Sequence, residues 1–323
     1  MASQDDGLAD GDTAAVYQRL RPLMFSIAYR MLGSVTEAED IVQEAFLRYH
    51  RAVADRGQPD SPKAYLSAVV TRLAIDQLRS ARVRRESYVG DWLPEPLLTG
   101  TEPLGQPVAD PAAHAEQADS LSMAFLLLLE RLTPLERAVF LLHDVFSYGY
   151  DETAGIVGRS ATTCRQLAHR ARQHIEAERP RFDVAAAEQE ALAERFFAAV
   201  GSGDMDGLLG LLAADVEVHG DSGGIPPSWR KPIVGREHVG RLLAAVSNQI
   251  RHVRGSIQQT EVNGQPGALA LAEDGSLIAV LVIDIADGQV QTVRSVISRD
   301  KLRHLGPLAD LGSLQQQRRR GSP

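Results

Sequence analysis

Apolar residues recur at three- to four-residue spacing through the first part of the chain, a pattern that predicts helices. Val16, Leu20 and Ile27 keep this spacing in a first stretch. Thr36 to His50 forms a second amphipathic stretch, with Ser34 or Thr36 as its N-cap. We therefore predict at least two packed helices before residue 51.

A third helix is predicted after the turn-rich segment 51–61. Ser61 followed by Pro62 is a typical helix start, because serine caps the first turn and proline is favoured at the first helical position. The helix from Tyr65 to Arg85 collects arginines toward its end. We predict an all-α domain over residues 13–88, preceded by a disordered segment, residues 1–12.

A helix-turn-helix is predicted in the middle of the chain. Two helices, Leu121 to Leu132 and Pro134 to Phe146, precede a short helix from Asp151 to Val157. Gly158 ends that helix as a C′ glycine, and Ser160 is a good N-cap for the next. These elements predict a second all-α domain over residues 121–181.

The pattern changes to mixed helices and strands after residue 186. Three helices are predicted first, at Ala187 to Val200, Met205 to Ala213 and Val239 to Ile250. A short strand, Val216 to Val218, lies between the second and third of them. Four strands follow, at Val253 to Val262, Ala268 to Ala272, Leu277 to Ile285 and Val290 to Ile297. Asn-Gly and Asp-Gly pairs separate these strands and predict hairpin turns. We predict an α+β cone over residues 186–305, followed by a flexible tail, residues 306–323.

Charge is segregated along the chain. The formal net charge is -8, yet residues 13–88 hold 12 Lys and Arg against 8 Asp and Glu, which is net +4. Residues 182–297 hold 15 acidic and 8 basic residues, which is net -7. The linker, residues 89–120, has five prolines, six acidic residues and no Lys or Arg. We therefore expect the helical domains, and not the third domain, to bind nucleic acid.

The predicted second helix of the helix-turn-helix has a basic outer face. Cys164, Ala168, Ala171 and Ile175 share the inward face, which leaves a polar and basic surface for DNA. The alternatives are an ordinary solvated helix and, for the arginines of the third helix, complementation of the helix dipole. The DNA-binding candidates are Arg72, Arg79, Arg82, Arg84, Arg85, Ser160, Thr162, Thr163, Arg165, Gln166, His169, Arg170 and Arg172.

Several functional classes are not expected. The single cysteine, Cys164, permits no internal disulfide or cysteine metal cluster, and we interpret it as a packing residue. No segment has the apolar length of a membrane span, and the acidic start lacks the pattern of a signal peptide. We expect a cytoplasmic protein with no cofactor, no metal and no membrane partner.

The chain resembles an extracytoplasmic-function sigma factor of bacterial RNA polymerase. The resemblance lies in the AEDIVQEAFLR block, residues 38–48, the AYLSAVVTRLAIDQLRS helix, residues 64–80, and the helix-turn-helix. It implies that the first domain is sigma region 2, which binds core polymerase and reads the minus-ten element. The second domain is then sigma region 4, which reads the minus-thirty-five element.

The resemblance also implies roles for individual residues. Asp40, Gln43 and Glu44 match the family's D-x-x-Q-E polymerase-docking pattern. The loop from Ala54 to Ser61 matches the segment that captures a flipped promoter base, and the third helix would lie along the opened strand. The chain departs from the family at Tyr65, where many relatives carry tryptophan, and at Arg72, where many carry asparagine.

The linker and third domain resemble the sigma subfamily with a SnoaL-like extension. YVGDWLPEPLL, residues 88–98, matches its linker signature. HGDSGG, residues 219–224, resembles its D-G-G-G-K loop, with Ser222 replacing a glycine and Ile225 at the lysine position. SRDKLRHL, residues 298–305, resembles N-P-D-K-L. The interdomain contact residues that we expect from these motifs are Trp92, Leu93, Pro94, Leu97, Asp221, Gly223, Gly224, Asp300, Lys301 and Leu302.

The sequence thus predicts a multidomain protein: two all-α helical domains, then an α+β NTF2-like or SnoaL-like cone. The predicted function is promoter recognition for core RNA polymerase, regulated by the fused C-terminal domain, with no enzymatic activity. A small-molecule ligand that binds in that domain is a further possible partner. Two alternatives remain, a polymerase-independent DNA-binding regulator and a SnoaL-like enzyme tethered to DNA. The polar groups for the enzyme are His219, Asp221, His238, His252, Asp284 and Arg294.

Overall fold

The computed structural model of the chain describes residues 6–86, 88, 90–99, 120–176, 186–224 and 231–310. These residues fall into two compact units. The first unit contains the helices of residues 6–86 and 125–176. The second contains residues 88–99 and the domain after residue 186.

Three long helices form the start of the first unit: α1 (Asp6–Leu32), α2 (Val35–Arg56) and α3 (Pro62–Glu86). Ser34 caps α2 by accepting a hydrogen bond from the Glu37 amide at 3.1 Å. Gly57, with φ of 79°, ends the same helix. The apolar faces meet in a core that includes Met24, Met31 and Leu66, all fully buried.

The helices between residues 120 and 176 are α4 (Met123–Leu129), which belongs to the first unit from Phe125 onward, α5 (Pro134–Phe140), a π-helical turn (Leu141–Val145), α6 (Tyr150–Val157) and α7 (Ala161–Glu176). Thr133 and Glu136 form a capping box at the start of α5. Gly158, with φ of 67°, turns the chain between α6 and α7, so these two helices form the predicted helix-turn-helix. Helix α3 packs against both α5 and α6.

The second unit is a six-stranded sheet covered by helices on one face. Its elements are α8 (Ala186–Ser202), α9 (Met205–Leu211), β1 (Leu212–Asp221), β2 (Ile233–Val234), α10 (Arg236–His252), β3 (Ser256–Val262), β4 (Gln265–Leu271), β5 (Leu277–Ala286), β6 (Gln289–Val296), α11 (Arg299–Leu302) and a 3-10 turn (Arg303–Leu305). The strand order is β2-β1-β6-β5-β4-β3, antiparallel except where β1 pairs with β6 in parallel. This architecture confirms the predicted α+β cone.

The core of the second unit lies between the sheet and its helices. Phe196 and Phe197 on α8, Leu243 on α10 and Val293 on β6 belong to one buried apolar cluster. The helices therefore bury one face of the sheet, as the helical and alternating patterns of the sequence predict.

Several predicted boundaries are wrong. The first strand is much longer than Val216 to Val218, because its pairing with β6 continues past a register shift between Leu212 and Glu217. The chain is helical from Asp6, inside the segment expected to be disordered. The predicted tail begins too early, because Leu277 exchanges backbone hydrogen bonds with Pro307 and Ala309.

None of the helices in the described part of the chain combines the length and the apolar character that a membrane crossing requires.

Candidate functional site

The second helix of the helix-turn-helix, α7, presents a polar outer surface. Cys164, Leu167, Ala168, Ala171 and Ile175 are buried on its inner face. Burial raises the pKa of the Cys164 thiol, as expected for a packing residue. The predicted DNA contacts that are exposed on α7 and its cap are Ser160, Thr162, Arg165, Gln166, His169 and Arg170.

Hydrogen bonds at the start of α7 fix its first turn. The Ser160 hydroxyl accepts the Thr163 amide at 3.1 Å and lies 2.8 Å from the Thr163 hydroxyl. The Arg165 guanidinium lies 5.2 Å from the centre of the Tyr150 ring. Thr162 and Gln166 are exposed one turn apart on the same side. This turn therefore presents hydrogen-bonding side chains in an ordered arrangement, as base-edge contact requires.

Two arginines on the last turns of α7 are held by acidic neighbours. Arg172 donates to Asp144 at 2.7 Å, and this bond, with the one to the Tyr150 hydroxyl, raises the pKa of Arg172. Arg170 lies 3.5 Å from the buried carboxylate of Glu136. These pairs anchor α7 to α5 and to the π-helical turn, so the predicted DNA contact of Arg172 would compete with its ion pair.

The arginines of α3 have different environments. Arg72 donates to the main-chain carbonyl oxygens of Ile156 at 2.9 Å and Gly155 at 3.0 Å. The Arg79 side chain is 59% exposed and pairs with Asp76 at 3.2 Å. The side chains of Arg82, Arg84 and Arg85 lie outside the described residues. Among the described arginines of α3, Arg79 is open to a ligand and Arg72 is engaged.

The docking candidates share one face of α2. Asp40 and Gln43 are exposed, Glu44 is half-buried, and Glu44 accepts from Arg48 at 2.7 Å. Leu47 lies one turn after Gln43 and Glu44, and it is 48% exposed although large and apolar. The sequence interpretation missed Leu47. The sequence did indicate it, because Leu47 is a large apolar residue on the otherwise polar outer face of the helix.

The linker binds within the second unit around the carboxylate of Asp221. Asp221 is fully buried at the end of β1. Its oxygens accept hydrogen bonds from the Leu93 amide at 2.8 Å, the Gly223 amide at 3.0 Å and the Lys301 ammonium at 2.6 Å. The Tyr88 hydroxyl also donates to it, and burial together with this carboxylate raises the pKa of the Tyr88 phenol.

Lys301 completes this linker-binding site. Its ammonium lies 4.4 Å from the Trp92 ring centre and 5.1 Å from that of Tyr88. It also donates to the Leu93 carbonyl oxygen at 2.5 Å. A desolvated ammonium between two aromatic faces and a carboxylate has strong electrostatic partners on every side. The site thus joins residues more than two hundred positions apart through one buried cation.

A second set of contacts extends the linker along the sheet edge. Leu97 and Asn263 are joined by two hydrogen bonds. The main-chain N–H of Asn263 donates to the Leu97 carbonyl oxygen at 2.7 Å, and the main-chain N–H of Leu97 donates to the side-chain oxygen of Asn263 at 2.9 Å. Leu98 forms a β-bridge with Val262. The Pro96 carbonyl lies 2.8 Å from the His304 ring. The sequence analysis did not identify Asn263 and His304 as linker contacts, because no motif marks them and only the fold brings them to the linker.

The remaining predicted contact residues divide between buried and exposed positions. Pro94 and Leu302 are buried. Gly223, with φ of 68°, leaves room for the Ser298 hydroxyl, which would lie 2.8 Å from an added Cβ. Gly224 also has a positive φ. The Asp300 side chain, by contrast, is 84% exposed and pairs with Arg303, so its expected linker contact is absent from the described residues.

Four of the polar groups proposed for catalysis, His219, Asp221, Asp284 and Arg294, lie on the adjacent strands β1, β6 and β5, with His219 directly opposite Arg294. His219 lies between Asp91 and Glu217, at 3.1 and 3.0 Å. Asp284 pairs with Arg294, while Asp221 is engaged by the linker. His238 and His252 are exposed, His238 near the backbone carbonyl of Val234 on β2 and His252 near that of Asn248 on its own helix. Among the described residues, no group of His, Cys, Asp and Glu has the arrangement of a metal site.

Three family models match the chain. Sigma-70 region 2 matches residues 16–84, Sigma-70 region 4 matches residues 122–175, and the SnoaL-like domain matches residues 193–298. The first match covers α1 to α3, the second covers the helix-turn-helix unit, and the third covers the cone.

Relatives align with the chain over most of its length. The chain is 37% identical over 297 residues to the ECF RNA polymerase sigma factor SigJ of Mycobacterium tuberculosis, covering 88% of this chain and 91% of SigJ. It is 33% identical over 301 residues to the probable ECF RNA polymerase sigma factor SigI of the same species, covering 93% of this chain and 97% of SigI. The crystal structure of M. tuberculosis SigJ superposes with a TM-score of 0.69 at 33% identity, covering 92% of this chain and 100% of that one.

Asp221→Asn should destabilise the second unit by about 3–5 kcal/mol, because it leaves the Lys301 ammonium without its buried carboxylate. Urea unfolding of the full chain, followed by tryptophan fluorescence, measures the change. Asp300→Asn is the matched control, since Asp300 is exposed and should change stability by less than about 0.5 kcal/mol. Equal stabilities of the two variants would contradict the assigned role of Asp221.

Proposed function

Because the chain belongs to the family of ECF RNA polymerase sigma factors, we propose that its first helical module holds core RNA polymerase and reads the minus-ten element, while its helix-turn-helix reads the minus-thirty-five element. The observation that carries this proposal is the pair of ordered, exposed surfaces on α2 and α7. We place the protein with its polymerase in the cytoplasm. A polymerase-independent regulator would have no use for the α2 surface.

The α2 surface fits a protein partner. Asp40, Gln43 and Glu44 supply polar contacts around Leu47, whose apolar side chain is 48% exposed. An apolar anchor within a polar rim is the usual composition of a protein interface. Of the large apolar side chains in the described residues, only Leu47 and Val234 are this exposed. We therefore propose that core polymerase covers Leu47.

Leu47→Ala should weaken binding to core polymerase about fivefold or more, because a buried interface anchor contributes more than about 1 kcal/mol. Fluorescence anisotropy with labelled full-length protein and purified core enzyme measures this affinity. Arg51→Ala, which changes an exposed residue one turn further along α2, is the control and should leave affinity within about twofold. If both variants bind like the parent, the α2 surface is not the docking surface.

The α7 surface fits a DNA groove. The first turn presents Thr162, Arg165 and Gln166, and no acidic residue lies between Arg159 and Ile175. Arginine and glutamine read purine edges in the major groove through paired hydrogen bonds. Arg79 on α3 is suited to a phosphate instead, because its exposed guanidinium, paired only with the exposed carboxylate of Asp76 among the described residues, reads charge rather than sequence.

Arg165→Ala and Gln166→Ala should each reduce discrimination between the cognate minus-thirty-five element and scrambled DNA by about 1–3 kcal/mol. Arg79→Ala should instead weaken binding to both DNAs equally and lower the slope of log affinity against log salt by about one. Titrations of the three variants at several salt concentrations measure both quantities. Equal losses on cognate and scrambled DNA for all three would reject this division.

We propose that the C-terminal domain regulates initiation through the linker. Asp221 and Lys301 hold Leu93 by its amide and its carbonyl, and Asn263 holds Leu97 in the same way. The segment between the two DNA readers is therefore fastened to the C-terminal domain at two points. Since the linker decides how far apart the readers can lie, the domain that holds it can adjust their spacing.

A regulatory role also agrees with the interior of the cone. Aromatic and aliphatic side chains, including Phe196, Phe197 and Leu243, occupy the space between sheet and helices. Of the candidate acid and base groups, His219, Asp221, Asp284 and Arg294 lie on β1, β5 and β6 and are each engaged by a neighbour, and His238 and His252 are exposed. These features favour a binding or regulatory domain over a tethered enzyme, and the domain's acidic charge argues against direct DNA contact.

Removal of residues 186–323 should change run-off transcription from a cognate promoter, because it releases the linker. Lys301→Met in the full chain should shift activity in the same direction, since it removes the cation that joins the linker to Asp221. Arg303→Met, a nearby exposed substitution, is the control. Unchanged transcription and unchanged core affinity in the truncated protein would contradict a regulatory role.

A further inference from the structure

One tyrosine of the helix-turn-helix contacts two arginines of α7. Arg165 and Arg172 are seven residues apart, about two helical turns, so they lie on the same side of the helix. The Arg165 guanidinium lies 5.2 Å from the centre of the Tyr150 ring, and Arg172 donates to the Tyr150 hydroxyl at 3.4 Å. Tyr150 is the first residue of α6, so its contacts join the two helices of the motif.

Neighbouring side chains hold the Tyr150 ring in place. The His143 ring stacks on it, with ring centres 3.8 Å apart and 25° between the planes. The His143 Nδ1 atom lies 2.8 Å from the Tyr148 carbonyl oxygen, and Arg172 is itself bound to Asp144 at 2.7 Å. His143 and Asp144 both belong to the π-helical turn, a rare backbone form that often occurs at functional sites. The ring therefore has a defined position before DNA binds.

Arg165 differs from the other arginines around it. Arg170 and Arg172 are each paired with a carboxylate, and Arg159 donates to a main-chain carbonyl oxygen. Arg165 is exposed and has no hydrogen bond or ion pair with any described residue, whereas its contact with the Tyr150 ring is present. Its guanidinium is thus located by an aromatic ring, and its donors are open to a ligand.

An aromatic ring can orient a guanidinium without using its hydrogen-bond donors. The attraction acts between the cation and the ring face, whereas the N–H groups lie in the guanidinium plane and stay available. A side chain that is already held loses less conformational entropy when it binds. Two parallel N–H donors of arginine match the O6 and N7 acceptors of guanine in the major groove. The arrangement therefore suits sequence reading more than simple attraction to phosphate.

We infer that Tyr150 is a positioning residue that holds Arg165 ready to read one base, a guanine by its acceptor pattern, in the minus-thirty-five element. Arg172 supports the ring through its hydroxyl and is not the base reader. This inference rests on the proposed reading of that element by α7, and it adds the residue that sets the most specific contact of the helix.

The test compares full-length variants in complex with purified core RNA polymerase. The parent complex first selects a promoter duplex from a random-sequence pool. Competition binding then gives the affinity for every single-base-pair change in the upstream element of that duplex. The variants are Tyr150→Leu, Tyr150→Phe, His143→Ala, Arg165→Ala and Gln166→Ala, and melting followed by circular dichroism establishes that each one is folded.

Arg165→Ala should abolish the preference at one base pair, by about tenfold or more, and so identify the pair that Arg165 reads. Tyr150→Leu should reduce the preference at the same pair about three- to fivefold and at no other, because it removes the ring beside the cation. Tyr150→Phe restores the ring and should restore the preference. His143→Ala, which loosens the ring without removing it, should cause a smaller loss at the same pair.

Double variants separate positioning from a general effect on the fold. Tyr150→Leu added to Arg165→Ala should cause no further loss, because Tyr150 acts through Arg165. Tyr150→Leu added to Gln166→Ala should contribute its full effect, since the two changes act on different base contacts.

The contrary results are distinct. A Tyr150→Leu loss that is equal at all base pairs, or an unchanged preference in both Tyr150→Leu and His143→Ala, would overturn the inference. If Arg165→Ala still removed the preference at one pair, promoter reading by α7 would stand without it. A parent complex that prefers no upstream sequence would reject promoter reading and the inference together.

Discussion

Cations removed from water must find oxygen acceptors, and in this protein main-chain carbonyls from distant parts of the sequence supply many of them. Arg137, almost fully buried, donates to the carbonyls of Leu129 and Met31 and so ties α5 to α1. Lys301, also buried, ties the end of the chain to the linker. The exposed Arg72 makes a similar pair of carbonyl contacts from α3 to α6. Because an unpaired buried charge is strongly destabilising, the contacts of Arg137 and Lys301 fix which elements can lie together.

The helices and turns of the fold could be predicted from the sequence because each depends on residues that are neighbours in the chain. Ser160 and Gly158 mark the turn of the helix-turn-helix, and the structure has the cap and the positive φ that they predict. Asn263 and Gly264, with φ of 55° and 69°, have the backbone of the predicted tight hairpin. In each case a residue type suits one backbone conformation, so the sequence alone is sufficient.

The details of the sites could not be predicted in the same way, because they depend on residues far apart in the chain. Nothing near Arg72 in the sequence indicates that its partners are carbonyls more than eighty residues later. Tyr88 and His304 acquire their contacts only when the linker lies on the cone. Asp300 shares a motif with Lys301, yet only Lys301 faces the linker. The roles assigned to the DNA and polymerase contacts stay predictions.

The central claim is that two basic helical modules act together on one polymerase and one promoter. Run-off transcription with purified core RNA polymerase and a library of genomic fragments tests it most directly. The account predicts discrete transcripts that require the protein and share one upstream sequence at two positions of fixed spacing. A protein that fails to associate with the core enzyme, or that associates and starts no RNA on any fragment, would contradict it.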